Sequence, residues 1–156
     1  MPNKPLDRID RKILTELQNN GRMSNVELSR CVGLSATPCL ERVKRLEQQG
    51  VITGYQANID PAKVGSSLLV IIEVTLDRSS PDVFEKFNKA VFQLDEILEC
   101  YLVSGSFDYL MKTRVSDMSA YRAMLSHTLL KLPGVSDTRT YVVMEEVQAK
   151  TTLQIK

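Results

Sequence analysis

The sequence is poor in the residues that metal and catalytic sites most often require. His127 is the single histidine among 156 residues, and the three cysteines, Cys31, Cys39 and Cys100, lack CxxC spacing. An odd set of thiols with one histidine argues against a structural zinc site or a disulfide framework. No metal site is therefore expected, and the thiols read as buried, with Cys39 alone at an outward-facing, reactive position. No catalytic residue is assigned either. His127 falls in an amphipathic stretch with no matching Ser, Cys or Asp signature, and no glycine loop of the P-loop or dinucleotide kind is present. No apolar run is long enough to cross a bilayer, and MPNKPLDRID lacks the apolar core of a signal peptide. These absences predict a cytoplasmic protein with no cofactor and no membrane partner.

What is present centres on Ser24–Gly50, SNVELSRCVGLSATPCLERVKRLEQQG. Ser24 with Glu27 three residues on has capping-box spacing, so each side chain can satisfy a free backbone donor of a helix start. Gly33 falls where a helix ends in a left-handed residue. Ser35 is a preferred N-cap, and Pro38 lies in the first turn, where its missing N–H is tolerated. The second helix is assigned Leu40, Val43 and Leu46 as its inner face, which leaves Thr37, Glu41, Arg42, Lys44, Arg45 and Gln48 outward. Many helical hairpins carry a basic face that is merely solvated. Here, however, Asp7–Asn20 supplies a third helix with Ile9, Ile13, Leu14 and Leu17 as its stripe, and three helices can bury what a hairpin cannot. The reading is a DNA-binding helix-turn-helix. Thr37 and Cys39, near the helix start with Ser35 and Pro38, are placed at base edges, and Arg42, Lys44 and Arg45 at bases or phosphates. Ser24 and Asn25 would hold phosphate through backbone N–H groups. Val51–Asn58 (VITGYQAN) reads as short extended chain, where a wing or linking strand would sit.

Charge is divided unevenly. Residues 1–56 hold nine cations against six anions, an excess of +3, and the remainder holds eleven against thirteen, or −2. One such unit would bind DNA weakly, so several copies are expected to act together. Beyond Asp60-Pro61 the periodicity changes. SLLVIIEVTL reads as a strand, a helix capped at Ser80-Pro81 follows, and Ile97–Val103 and Tyr109–Val115 flank a glycine turn as a hairpin. A helix capped by Asp117 ends at Pro133-Gly134, Val135–Met144 is a further strand, and a last short one is placed in Thr151–Ile155. The order βαββαβ is the ferredoxin-like pattern, with both helices on one sheet face. The other face, read as carrying Val, Tyr and Met, would need a second subunit to cover it. The expected class is α+β, with a winged helix-turn-helix domain at 1–57, a linker at 58–66 and a ferredoxin-like domain at 67–156. Met1–Pro5 read as loose.

The segments LDRIDRKIL, NVELSRCVGLSATPCLERVKRLEQQG, LVSGSFDYLMKTRV and LPGVSDTRTYVVMEEV resemble the Lrp/AsnC family of bacterial regulators over nearly the whole chain. The resemblance implies a transcription regulator that binds double-stranded DNA as homodimers, assembles into octamers or larger rings, and senses an amino acid between dimers. A free amino acid needs an anion for its ammonium, donors for its carboxylate and an apolar pocket. With the resemblance, Asp108 is taken as the anion in a turn made by Val103, Ser104, Gly105, Ser106, Phe107 and Tyr109. Leu102, Met118, Thr138, Thr140, Tyr141, Val142 and Val143 complete the set, and the effector implied is leucine or methionine. The plainer alternative is that Asp108 only stabilises its turn. Ser106 stands where related members often carry an acidic residue. Two other readings of the architecture are an enzyme like the sirohaem decarboxylases and an effector-independent DNA-architectural protein.

Overall fold

The computed structural model describes residues 5–155, so the reading of residues 1–4 as loose lies outside the described residues. The chain divides into two compact units, Met1–Asn58 with Gln148–Lys156, and Ile59–Val147. The first unit contains α1 (Arg8–Asn19), α2 (Asn25–Val32) and α3 (Ala36–Gln48). Asp7 caps α1 through the N–H groups of Ile9 and Asp10, and Asp10 returns a bond to the Asp7 N–H. Ser24 and Glu27 make the same reciprocal box at α2. Gly33 ends α2 at φ +75°. Ser35 precedes α3 but its side chain caps nothing, which differs from the expected N-cap bond.

The core of this unit is Ile13, Leu14, Leu28, Val32, Cys39 and Leu46. The inner stripe of α3 therefore runs Cys39–Val43–Leu46, not Leu40–Val43–Leu46. Leu40 is exposed and Cys39 has no exposed surface, so neither a reactive nor a DNA-facing Cys39 survives. Burial also pushes the Cys39 thiol pKa up. Cys31 is exposed and Cys100 half-buried, so burial holds fully for one thiol of three. Val51–Asn58 is extended but pairs with no strand.

The C-terminal residues depart from expectation. Thr151–Ile155 is no strand. It lies with the first unit, where the Gln18 side chain donates to the Leu153 carbonyl at 3.1 Å and accepts from its N–H at 2.7 Å. Ile155 packs against the same core. By packing, Gln148–Lys156 thus groups with the first unit.

The second unit contains β1 (Leu68–Leu76), α4 (Val83–Val91), β2 (Ile97–Leu102), β3 (Tyr109–Val115), α5 (Met118–His127) and β4 (Val135–Val142). The strands form one antiparallel sheet in the order β2-β3-β1-β4, the ferredoxin-like arrangement. Asp82, rather than Ser80-Pro81, precedes α4, and Asp117 caps α5 through the Ala120 N–H. Along β1, Val70, Ile72, Val74 and Leu76 turn towards both helices and meet Phe87, Met111 and Tyr121. The opposite face is not simply apolar. Leu69, Ile71, Leu110, Tyr101 and Tyr141 share it with Glu73, Glu99, Lys112, Arg114, Asp137 and Arg139 by strand register. The methionine of β3, Met111, belongs to the helix-covered core. No described helix is long and apolar enough to cross a membrane.

Gly134 adopts φ +74°, and a Cβ there would lie 2.0 Å from Val83 Cγ2. Gly134→Ala is expected to lose roughly 2–4 kcal/mol of unfolding free energy, from left-handed strain plus overpacking. Gly33→Ala, with a similar φ but nothing within 4 Å, should lose only about 1–2 kcal/mol. Denaturant titration of both variants checks the difference.

Candidate functional site

The helix-turn-helix presents two kinds of residue where the sequence suggested one. Ser35, Thr37, Pro38 and Lys44 are exposed on and before α3, where contact with DNA is open to them. Arg42 and Arg45 turn the other way. Arg42 Nη1 lies 2.6 Å from Asp7 Oδ2 and 2.8 Å from Asp10 Oδ1, and Arg45 Nη2 lies 2.6 Å from the same Asp10 oxygen. Both arginines keep about a quarter of their side-chain surface, whereas Asp10 keeps none. A carboxylate without water must be paired, and two guanidinium groups supply that pairing. Arg42 and Arg45 therefore do not face outward as the helical period suggested: they fasten α3 to α1.

The start of α2 is also committed. The Ser24 N–H and hydroxyl both bond the Glu27 carboxylate, so this N–H is not left for a phosphate as expected. These two bonds hold the Glu27 carboxyl below its usual range. Asn25 donates through Nδ2 to the Ala36 carbonyl at 2.8 Å, which ties the start of α2 to the start of α3.

In the second unit Asp108 is neither exposed nor unpaired. It is 3% exposed. Its Oδ2 accepts from the Leu76 N–H at 2.8 Å, and its Oδ1 pairs with Arg78. The Leu76 N–H, with Arg78 second among the favourable contacts, holds its pKa below the ordinary 3.8. Asp108 therefore closes the ends of β1 and β3, and is not the unpaired carboxylate that the sequence suggested. Tyr109 likewise belongs to the core, stacked at 4.5 Å from Phe87 with its hydroxyl donating to Asn88. Burial raises its pKa.

The remaining candidates divide between surfaces. Ser104, Gly105 and Ser106 are exposed in the turn, and Val103 and Phe107 half-buried. Leu102, Met118 and Val142 are exposed, and Val143 donates its N–H to the Leu69 carbonyl. Thr138 and Thr140 share the helix side of the sheet, where the Thr140 and Tyr121 hydroxyls meet, while Tyr141 points to the opposite side. The set does not line one cavity within a single chain. A cavity of about 140 Å³ does form beside the turn, lined by Ser106, Phe107, Glu73, Thr75, Asp137 and Arg139. Four of these were not foreseen. Their signal is the same-parity polar pairs Glu73/Thr75 and Asp137/Arg139, but only the register Thr75–Asp137 and Glu73–Arg139 joins them. Glu73, Asp137 and Arg139 form no ion pair among the described residues.

A capped helix-turn-helix beside a ferredoxin-like domain defines a DNA-binding transcription regulator with a small-molecule-binding partner domain. Comparison with known proteins agrees for both parts. Residues 6–53 match the winged helix-turn-helix DNA-binding model, and residues 69–153 match the Lrp/AsnC ligand binding domain. The leucine-responsive regulatory protein of Escherichia coli K12 is 67% identical over 155 residues, covering 99% of this chain and 94% of that one. The protein of the same name from Klebsiella pneumoniae is equally similar. A Neisseria meningitidis transcriptional regulator, crystallised with L-methionine, superposes with a TM-score of 0.92 at 39% identity, covering 96% of this chain and 97% of that one. The chain belongs to the Lrp/AsnC family, and the relatives named above are regulators.

Removing the centre of the arginine clasp should loosen the first unit. Asp10→Ala is expected to lose roughly 3 kcal/mol, since Arg45 is left without its carboxylate, Arg42 keeps only Asp7, and a capping bond is lost. Arg42 holds the folded-state pKa of Asp7 at about 2, against 3.8 ordinarily. That stabilisation is complete above about pH 4 and is lost as the pH falls through 2. Melting curves between pH 2 and 5 should slope less for Asp7→Asn than for the native chain.

Proposed function

We propose that the chain is an amino-acid-responsive regulator, and that leucine or methionine is its effector. The names of its relatives support this: one is called leucine-responsive, and another was crystallised with L-methionine. The observation that carries the reading at the site is the cavity beside the Ser104–Phe107 turn. It offers what a zwitterion needs, with Glu73 and Asp137 for the ammonium, Arg139 for the carboxylate, and Phe107 as an apolar wall. At about 140 Å³ it is small beside the roughly 300–1,000 Å³ of ordinary ligand sites. It therefore serves as one wall of a site that a second copy completes.

The same requirement for a second copy follows from the sheet. Ile71, Leu110 and Tyr141 leave an apolar strip on the uncovered face, bordered by charges that can pair across a symmetric interface. Homodimers formed through this face, gathered into octamers or larger rings, would add several weakly basic DNA-binding units together. Ser35, Thr37, Pro38 and Lys44 then face the DNA from each α3, and the effector acts by changing assembly more than by changing any one α3.

Calorimetry of leucine and methionine on the native chain, Arg139→Gln and Asp137→Asn tests the site. Loss of one charge-assisted hydrogen bond is worth about 1.5–3 kcal/mol, so each variant should bind roughly ten- to a hundredfold more weakly. Equal affinities for all three proteins would place the site elsewhere.

A further inference from the structure

The arginine clasp changes the charge balance of the DNA-binding unit. With Arg42 and Arg45 engaged by Asp7 and Asp10, the outward side of α3 keeps one cation, Lys44, against two exposed acids, Glu41 and Glu47. The helix that enters the groove is thus not the main source of positive charge. Besides Lys44 the unit exposes Arg22, Arg30 and Lys150 singly, whereas α1 carries three exposed cations together. Arg8, Arg11 and Lys12 are all exposed, fall within one stripe at helical spacing, and form no ion pair among the described residues. The acids of the same turns, Asp7 and Asp10, are drawn inward to α3. Helix α1 therefore turns Asp10 inward and its three cations outward, with the half-buried Glu16 one turn beyond Lys12.

This placement runs against local helix electrostatics in two ways. Cations at the start of a helix oppose its macrodipole, and α1 puts all three in its first five residues and none in its last turn. Arg8 is also spaced three and four residues from Arg11 and Lys12, where like charges repel. A sequence that departs twice from the stable choice at exposed positions marks a surface selected for contact.

We infer that the Arg8–Arg11–Lys12 face of α1 is a second DNA-backbone surface. This rests on the reading of the chain as a DNA binder and extends it. The stripe lies on the side of α1 away from Ile13, Leu14 and Leu17, which pack against the rest of the unit. Its partner is the phosphate backbone of a second stretch of duplex, not the groove that α3 enters. Binding of this kind is sequence-independent and acts through release of counterions.

The full-length chain and a Arg8→Gln/Arg11→Gln/Lys12→Gln variant are titrated with a 60-base-pair duplex of random sequence across a salt series, by fluorescence anisotropy. Each phosphate contact contributes about 0.9 to the slope of log K against log salt, so the variant's slope should be shallower by up to about 2.7. Lys44→Gln should remove about 0.9 independently, and the two changes should add. Glutamine is a good helix former, and the change relieves repulsion, so the variant should melt no lower than the native chain. Arg122→Gln/Lys131→Gln removes exposed charge from the other unit and should leave the slope unchanged. A native slope in the α1 variant, or an equal loss in the Arg122/Lys131 control, overturns the proposal. A native chain with no salt-dependent DNA affinity would instead overturn the DNA-binding reading itself.

Discussion

Asp10 has no exposed surface, and its charge is met by Arg42 and Arg45, which reach it from a helix more than thirty residues away. Three properties of the first unit follow from that one carboxylate. It completes the cap of α1 by accepting the Asp7 N–H. It fixes the rotation of α3 about its own axis, because both arginines lie on the side that must face α1. It also turns Arg42 and Arg45 inward while Ser35, Thr37, Pro38 and Lys44 stay exposed. An apolar residue could fill the space, but it would not specify that rotation. A buried ion cluster of this kind gives orientation more than it gives stability.

Asp108 does the corresponding work in the second unit. Two oxygens on one side chain hold the last residue of β1 and the arginine two positions later, and the backbone N–H of Asp108 donates to the Val74 carbonyl. The neighbouring Ser104–Phe107 turn is thus carried on a rigid support although Ser104, Gly105 and Ser106 are exposed. A turn on such a fixed base has less freedom to lose than an unsupported loop, whose ordering on binding would consume much of a small ligand's affinity.

The parts of the structure legible in the sequence are those decided by near neighbours. The capping boxes at Asp7–Asp10 and Ser24–Glu27, the left-handed Gly33 and the βαββαβ order all depend on residues a few positions apart. Which side of α3 turns inward was not legible. Leu40–Val43–Leu46 and Cys39–Val43–Leu46 fit a helical period equally well, and leucine looks like the better core residue. The decision comes from Asp10, whose partners cannot be identified by spacing. Asp108 looked unpaired for the same reason, since its partners Leu76 and Arg78 lie about thirty residues earlier. The zwitterion-complementary cavity stayed hidden because Glu73 and Arg139 become neighbours only through the β1–β4 register.

The reciprocal bonds between Gln18 and Leu153, with Ile155 in the first unit's core, make that unit discontinuous along the chain. A ribosome starts the DNA-binding unit first and finishes it last. Its three helices emerge early, but the segment that closes over α1 leaves the exit tunnel only after the whole sheet has been synthesised. A nascent chain therefore holds an incomplete DNA-binding unit until the other unit is able to fold, so an abortive product cut short in the sheet would lack the finished form of both.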